Sequence, residues 1–191
     1  MCAHYRLTNS PSQIAVHLGI TLDPDTMSQL SPRLNISVSQ RVPIVRADGG
    51  GRRLHLAEWG FRATWDSGKR IFNAMAETAD RKPTFRDAFA SRRCLLPADG
   101  FYEWPDRKKV LVHYQDDRLF CFGGLWQGDE VTMLTCAPNE FMQPIHRRMP
   151  VILSPDHYEQ WLDINTPAAE LKAMTGSRPW HMMKASPTAI A

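Results

Sequence analysis

The chain from about residue 40 to residue 153 consists of short apolar runs separated by polar turns. Runs that are rich in β-branched and aromatic residues and bounded by Gly, Asp and Asn are typical of β-strands. Residues 41–46 and 52–57 flank Asp-Gly-Gly-Gly at 48–51 and predict a hairpin. Further strands are predicted over 93–97, 101–104, 110–114, 119–126, 131–135 and 151–153.

Helices are predicted where apolar residues recur every three or four positions beside end signals. Ser10-Pro11 is a typical N-cap followed by a first-turn proline, and Gly19 is a typical stop, which predicts a helix over 11–18. The same start signal recurs later in the chain, and the further helices are predicted over 84–92, 155–163 and 167–175. The stretch 59–65 shows neither a helix nor a strand pattern.

Together these elements predict an α+β fold, with a mostly antiparallel, barrel-like β core and a few short covering helices. A length of 191 residues suits one domain, which we place over residues 1–191, because no linker, repeat or low-complexity tail divides the chain. A domain of this size buries about 70% of its extended surface, so it can hold a sizeable core.

The composition, with 43% hydrophobic and 23% charged residues, is that of an ordinary soluble protein. A formal net charge of +3 and a pI near 8.8 permit a polyanionic partner without requiring one. The four cysteines show no Cys-x-x-Cys spacing, which favours reduced cytosolic thiols over a disulfide framework or a metal site. No apolar run reaches about eighteen residues and no signal pattern is present, so we expect a cytoplasmic protein without metal or cofactor.

The first candidate for chemistry is Cys2, which follows Met1. Initiator methionine is normally removed before a small residue, and its removal leaves an α-amine and a thiol two carbons apart. The ordinary pKa of an α-amine is about 7.7–8.0, so far more of it is neutral at pH 7 than of a lysine amine. Such an aminothiol attacks an aldehyde through nitrogen, and its sulfur then closes a five-membered ring. These residues alone leave open that Cys2 has no chemical role.

Three polar residues are candidates to assist such chemistry. Glu103 lies in a strand among aromatic residues, where lost hydration raises the pKa of a carboxyl group and suits it to proton transfer. His146 lies in a loop that leads into a strand, a placement typical of acid–base histidines. Asn73, a lone amide after two bulky residues, can orient a substrate. A salt-bridged glutamate, a solvated histidine and a turn cap are the ordinary alternatives.

Two further features are compatible with nucleic-acid binding. Trp65 can stack on a base, although tryptophan more often packs in a core. The basic run at 107–109 is typical of a solvated hairpin tip, with a phosphate site as the less common alternative.

A series of motifs, taken in chain order, resembles one known family. They are Met-Cys at 1–2, Pro-Arg-Leu-Asn at 32–35, Trp-Gly at 59–60, Asn-Ala-Met-Ala-Glu-Thr at 73–78, the stretch 93–104, Gly-Gly-Leu-Trp at 123–126 and His-Arg-Arg-Met-Pro at 146–150. In combination they resemble the SRAP family, the SOS-response-associated peptidase domains that sense abasic sites in DNA. The resemblance extends from residue 1 to about residue 163.

The resemblance implies a protein whose terminal cysteine cross-links to the ring-opened sugar aldehyde of an abasic site in single-stranded DNA, giving a thiazolidine. It implies that Cys2 is the nucleophile through both nitrogen and sulfur, and that Asn73 holds the N-terminus or the sugar. It assigns proton transfer during imine formation to Glu103, and action on the sugar ring and its phosphate-bearing side to His146. Self-processing peptidase activity and weak strand-cleaving lyase activity are implied as well.

The resemblance also implies contacts to the DNA strand from Asn35, Trp65, Thr135 and Arg148, with Trp65 stacking on a base and Arg148 pairing with a phosphate. Two departures concern this surface. The family commonly begins Met-Cys-Gly-Arg, whereas this chain has Ala3 and His4, and the family's Asn-Ala-Arg is Asn-Ala-Met75 here. Two phosphate-binding arginines are thereby replaced, which should weaken salt-dependent DNA affinity.

The sequence therefore favours a monomeric abasic-site sensor in the cytoplasm, associated with the nucleoid when bound to DNA and with no membrane partner. Two alternatives stay open. The first is an N-terminal-nucleophile cysteine amidase or peptidase, in which the Cys2 thiolate attacks an amide carbonyl and the α-amine serves as base. The second is a non-catalytic binder of single-stranded nucleic acid, which the mild basicity and the six tryptophans permit.

Overall fold

A computed structural model describes residues 2–63 and 66–188 of the chain. Its strands are β1 (His4–Leu7), β2 (Arg33–Ser37), β3 (Arg41–Asp48), β4 (Gly51–Trp59), β5 (Phe61–Ala63), β6 (Asp66–Ile71), β7 (Asn73–Met75), β8 (Arg93–Ala98), β9 (Gly100–Glu103), β10 (Val110–Tyr114), β11 (Phe120–Gln127), β12 (Glu130–Cys136), β13 (Met149–Pro150), β14 (Ile152–Leu153) and β15 (Met183–Pro187). Its helices are α1 (Pro11–Leu18), α2 (Pro24–Gln29), α3 (Ala76–Ala79), α4 (Pro83–Ser91), α5 (Tyr158–Leu162) and α6 (Ala168–Thr175).

Most strands belong to two sheets. In the larger sheet β3 pairs with β4 and β8, and β8 pairs with β11. Both β4 and β11 also pair with β12, so this sheet curves back on itself. The smaller sheet has the order β15-β10-β9-β1-β2 and is antiparallel. The parallel pairs are those of β12 with β4 and β7. The predicted α+β fold with a mostly antiparallel, barrel-like core is confirmed.

The β3–β4 hairpin is the clearest success of the strand pattern. Its strands pair from Arg41 opposite Glu58 down to Asp48 opposite Gly51. The turn between them places Gly49 and Gly50 at φ values of 59° and 93°, a left-handed backbone that glycine adopts without steric cost.

Local end signals also place the helices correctly. Helix α1 begins after Ser10, whose hydroxyl accepts from the backbone of Gln13 while the Gln13 side chain accepts from the Ser10 backbone N–H. It ends at Gly19 with φ 63°. The predicted helix over 155–163 is a 3₁₀ turn (Pro155–His157) followed by α5, and the helices predicted over 84–92 and 167–175 are α4 and α6. Within the described residues, no helix has both the length and the apolar character needed to cross a membrane.

Several elements were not predicted, namely the helices α2 and α3 and the strands β1, β2, β5, β6, β7, β13 and β15. Helix α2 is capped by Asp23, whose carboxylate accepts from the backbone N–H and the hydroxyl of Thr26. Strands β5 and β6 pair as a small separate sheet in a stretch where no strand pattern was found. Gly60, which precedes β5, has φ 136°, and a Cβ there would lie 2.9 Å from the Phe72 ring. Gly60 therefore permits the tight turn between β4 and β5, which a side chain at this position would obstruct.

The N-terminal strand β1 lies between β2 and β9 and is fixed by a buried carboxylate. Asp99, with 1% of its surface exposed, accepts from Arg6 Nε at 2.5 Å and from the Thr8 hydroxyl at 2.7 Å. The Thr8 backbone N–H also donates to this carboxylate. These bonds hold the end of β1 against the residue that joins β8 to β9, and so they position the residues that precede His4.

Candidate functional site

Cys2 lies inside the protein and is held by an amide side chain. Only 2% of its surface is exposed. Asn73 Nδ2, at the start of β7, donates to the backbone carbonyl of Cys2 at 3.0 Å. The Cys2 thiol donates to the backbone carbonyl of His4, with 3.7 Å between sulfur and oxygen. The fold therefore brings residues 2 and 73 into direct contact.

Glu103 ends the strand beside β1. Tyr5 pairs with Phe101 and Arg6 with Gly100, and the same register extended by two residues places Ala3 opposite Glu103. Glu103 is 3% exposed, and among the described residues its Oε1 has no hydrogen-bond partner. Burial raises the pKa of the Glu103 carboxyl, and the neighbouring charge of His146 partly opposes this rise in pKa.

The pKa of the Cys2 thiol is shifted by the same buried surroundings. Burial raises its pKa strongly, and the negative charge of Glu103 raises it further. The thiol is therefore protonated near neutral pH, whereas an enzyme that attacks through sulfur needs a thiolate. The raised pKa of the thiol therefore disfavours a simple cysteine peptidase and suits a nucleophile that attacks through nitrogen.

His146 lies in the segment that leads into β13. Its Nδ1 lies 3.0 Å from the backbone nitrogen and 2.9 Å from the backbone oxygen of Arg148. The Arg148 backbone can therefore hold the ring through Nδ1 in either protonation state.

Arg148, expected to pair with a DNA phosphate, already has an acidic partner. Its Nη1 and Nη2 donate to the two carboxylate oxygens of Glu77, each at 2.8 Å. Nη2 also donates to the backbone oxygen of Thr135 at 2.7 Å. The hydrogen bonds from Arg148 lower the pKa of Glu77, so the pair is ionised at neutral pH. Thr135 itself is buried, and its hydroxyl donates to Ala74 O at 3.4 Å.

Asn35, the remaining strand-binding candidate within the described residues, lies on β2. Asn35 is exposed, and its Oδ1 lies 2.9 Å from His4 Nδ1. The His4 ring makes an edge contact with Trp104, with 5.3 Å between centroids. Trp104 follows Glu103 in the chain and is 42% exposed. Trp65 lies outside the described residues.

Sequence reasoning missed the parts that Glu77 and Trp104 play here. Glu77 stands in the Asn-Ala-Met-Ala-Glu motif, but no spacing pattern connects it to Arg148, which is 71 positions away. The sequence does contain a hint for Trp104, because it is an aromatic residue next to a candidate carboxyl group. Only the structure reveals that its ring is exposed beside His4.

The fold and this site define a class: α+β proteins in which residue 2 is a buried cysteine whose carbonyl accepts from an amide side chain, and in which the strand beside β1 ends in a buried carboxyl group. A family model described as SOS response associated peptidase (SRAP) matches residues 1–189, and the chain belongs to that family. The resemblance seen in the motifs is thereby confirmed.

Similar proteins include the abasic site processing protein YoaM of Bacillus subtilis, which is 39% identical in an alignment of 153 positions. This alignment covers 71% of this chain and 67% of that protein. The abasic site processing protein YedK of Escherichia coli is 24% identical over 95% of this chain and 91% of its own length. A crystal structure of a protein from Bacteroides thetaiotaomicron matches with a TM-score of 0.85 at 22% identity, covering 96% of this chain and 90% of that one. This last match shows the shared fold.

Proposed function

We propose that this protein processes abasic sites in single-stranded DNA by linking Cys2 covalently to the sugar aldehyde. The observation that carries the proposal is the hydrogen bond from Asn73 to the Cys2 carbonyl, together with the buried carboxyl group of Glu103, whose Oε1 has no hydrogen-bond partner among the described residues. The relatives YoaM and YedK are abasic site processing proteins, which supports the same substrate for this chain. An abasic site supplies an aldehyde when its sugar ring opens, which is the electrophile an aminothiol requires.

In this proposal the reaction begins once Met1 has been removed. The neutral α-amine of Cys2 attacks the aldehyde carbon, and loss of water from the adduct gives an imine. The thiol then adds across the C=N bond: sulfur bonds to carbon, the thiol proton passes to nitrogen, and a thiazolidine ring closes.

Glu103 is proposed to transfer the protons of imine formation. Its raised pKa keeps a population of the neutral acid, which can protonate the departing hydroxyl group and recover a proton afterwards. Asn73 fixes the backbone of Cys2 so that the amine faces the sugar. His146, oriented by the Arg148 backbone, is proposed to act on the sugar ring as it opens.

For the DNA strand, we propose contacts from Asn35 on one side of the site and from Arg148 on the other. Because Glu77 already neutralises Arg148, its attraction for a phosphate is weaker than that of a free guanidinium group. Thr135 is buried, so we assign it an indirect role in DNA binding: its backbone oxygen holds the Arg148 side chain in place. Trp65 keeps its proposed stacking role.

The test is a denaturing gel of the purified protein incubated with an abasic single-stranded oligonucleotide. We expect a covalent adduct from the wild type, none from Cys2→Ala, and an undiminished adduct from the matched control Cys94→Ala, whose thiol lies in β8. An adduct that survives Cys2→Ala would refute the proposal. Intact-mass measurement must first show that Met1 is absent, because retained methionine blocks the amine.

A self-processing peptidase activity is the second candidate, and the family description favours it. In this view the site itself releases Met1 with Glu103 as the proton-transfer group. The raised pKa of the Cys2 thiol argues against its use on general peptide substrates. Cleavage of peptides unrelated to the N-terminus would overturn that restriction.

A further inference from the structure

The hairpin tip between β9 and β10 carries an unusual concentration of positive charge. Residues 105–109, here called the β9–β10 tip, read Pro-Asp-Arg-Lys-Lys and hold three cations against one carboxylate. Arg107 and Lys108 are exposed, and among the described residues neither side chain forms an ion pair. The tip is therefore a source of uncompensated positive charge.

The backbone of the tip is strained at two residues that have positive φ. Asp106 and Arg107 have φ values of 48° and 63°, and the Lys108 backbone N–H donates to Pro105 O at 2.9 Å. Positive φ at both central residues is typical of a type I′ hairpin turn, where Asn-Gly is preferred and a long side chain is costly. A long cationic side chain at such a position is a reason to look for a function.

The tip is physically continuous with the site. Lys109 Nζ lies 4.3 Å from the centre of the Tyr102 ring, and the Tyr102 hydroxyl donates to Leu34 O at 2.8 Å. The next residue, Asn35, is the strand-binding candidate that contacts His4. The other end of the tip follows Trp104 and Glu103 directly in the chain. A strand that leaves the site over Asn35 would therefore meet the tip next.

We propose that the β9–β10 tip is a phosphate-binding extension that grips the single DNA strand on one side of the abasic nucleotide. This inference rests on the proposed function, because it needs a strand anchored at Cys2. The chain has His4 and Met75 at two positions where its family commonly has arginine, and the tip cations supply positive charge that those positions lack. Arg107 and Lys108 bind the phosphates, while Lys109 is held on Tyr102 and directs the tip toward Asn35.

The experiment compares the wild type with Arg107→Asn/Lys108→Gln and with the charge-retaining Arg107→Lys/Lys108→Arg. Cross-linking rates are measured against protein concentration and salt, with an abasic strand of about fifteen nucleotides, long enough to pass the tip. We expect the neutral variant to raise the half-saturating concentration roughly tenfold at low salt and to reduce the salt slope by about 0.7 for each lost contact. The limiting rate should be unchanged, and the charge-retaining variant should bind like the wild type.

Folding is controlled separately, because asparagine tolerates positive φ better than arginine does. The neutral variant should melt at or above the wild-type temperature, so that weaker binding cannot be ascribed to damage. Lys82→Gln serves as the control, since Lys82 is an exposed cation that immediately precedes α4, a helix that packs against β8 and β11.

Unchanged half-saturation in the neutral variant would overturn the inference, and so would an equal loss in the charge-retaining variant or a fall in the limiting rate. A loss seen only when the flanking DNA is double-stranded would overturn the assignment to a single strand. Absence of any adduct from the wild type would instead refute the proposed function itself.

Discussion

Among single residues, Glu103 shows the conflict between stability and chemistry most clearly. The Glu103 carboxyl group is 3% exposed, and its Oε1 has no hydrogen-bond partner among the described residues. Leaving a buried polar atom unsatisfied costs about 1–3 kcal/mol. A protein selected for stability alone would place an apolar residue or a paired carboxylate there. The neutral acid that the site retains is the group a proton transfer to a departing hydroxyl requires.

We predict that Glu103→Gln slows cross-linking and stabilises the fold at neutral pH by about 1 kcal/mol. The folded-state pKa of Glu103 is raised, so the folded protein binds this proton more tightly than the unfolded chain does. The resulting contribution to stability is present below the ordinary carboxyl pKa and is lost as pH rises through the raised value. Glutamine does not titrate, and the advantage of the variant should therefore appear only on the neutral side.

Urea unfolding at acidic and at neutral pH, together with adduct yield over time, checks this prediction. Glu140→Gln is the matched control, because Glu140 is exposed in the loop before His146. A Glu103→Gln variant that is less stable than the wild type at neutral pH, or that cross-links at the wild-type rate, would contradict it.

Among the elements, β1 matters most, because it fixes the residues before it. It is a short strand between β2 and β9, and the hydrogen bonds from Arg6 and Thr8 to Asp99 hold its far end. Cys2 lies two residues before the strand, so any change in the angle or register of β1 moves the nucleophile relative to Glu103. The structure thereby couples the buried ion pair at one end of β1 to the chemistry at the other.

We predict that Asp99→Ala lowers the free energy of unfolding by about 3–5 kcal/mol, because it leaves the Arg6 guanidinium half-buried without its main partner. Adduct formation should also slow at temperatures where the variant remains folded, since β1 loses its anchor. Chemical denaturation and the gel assay measure the two effects. Asp116→Ala is the control. Asp116 is half-exposed, and its Oδ1 lies 3.7 Å from Arg118 Nε, which is a long distance for an ion pair. Its removal should therefore cost less than about 1 kcal/mol. Equal costs for the two variants would contradict the prediction.

For the molecule as a whole, DNA affinity depends on how the small net charge of +3 is distributed. Several cations are already paired: Arg148 with Glu77, Arg70 with Glu58, and Arg62 with Glu130. Beside the site, Met75 pairs with Thr135 across β7 and β12 and is 43% exposed. A polyanion thus meets fewer free cations near Cys2 than the total charge suggests, which should make binding weak and sensitive to salt.

We predict that Met75→Arg strengthens binding to abasic single strands about tenfold at low salt and steepens the salt dependence by about 0.7. The added guanidinium would stand beside the proposed strand path without losing a buried apolar contact, because Met75 is exposed. Fluorescence anisotropy over a range of salt concentrations measures both quantities. Met27→Arg on α2 adds the same charge on another exposed methionine and should change affinity far less. An equal gain from both variants would indicate net charge alone.

Local sequence determined those elements whose stabilising contacts lie within a few residues. Helix α1 follows from a capping box and a glycine stop, and the β3–β4 hairpin follows from alternating runs around three glycines. The β5–β6 hairpin was not predictable in this way. Gly60, which precedes β5, approaches the Phe72 ring, which follows β6, and a contact between residues twelve positions apart leaves no periodic pattern.

The sequence by itself determined which chemical groups are present: a thiol at residue 2, a carboxyl group among aromatic residues, a loop imidazole and an amide, in an order that identifies the family. Only the tertiary structure decided their states. It joined Asn73 to Cys2, buried the Glu103 carboxyl group and paired Arg148 with Glu77. The physical reason is that pKa values and hydrogen-bond partners depend on distance and solvent exposure, and strand pairing between distant segments sets both.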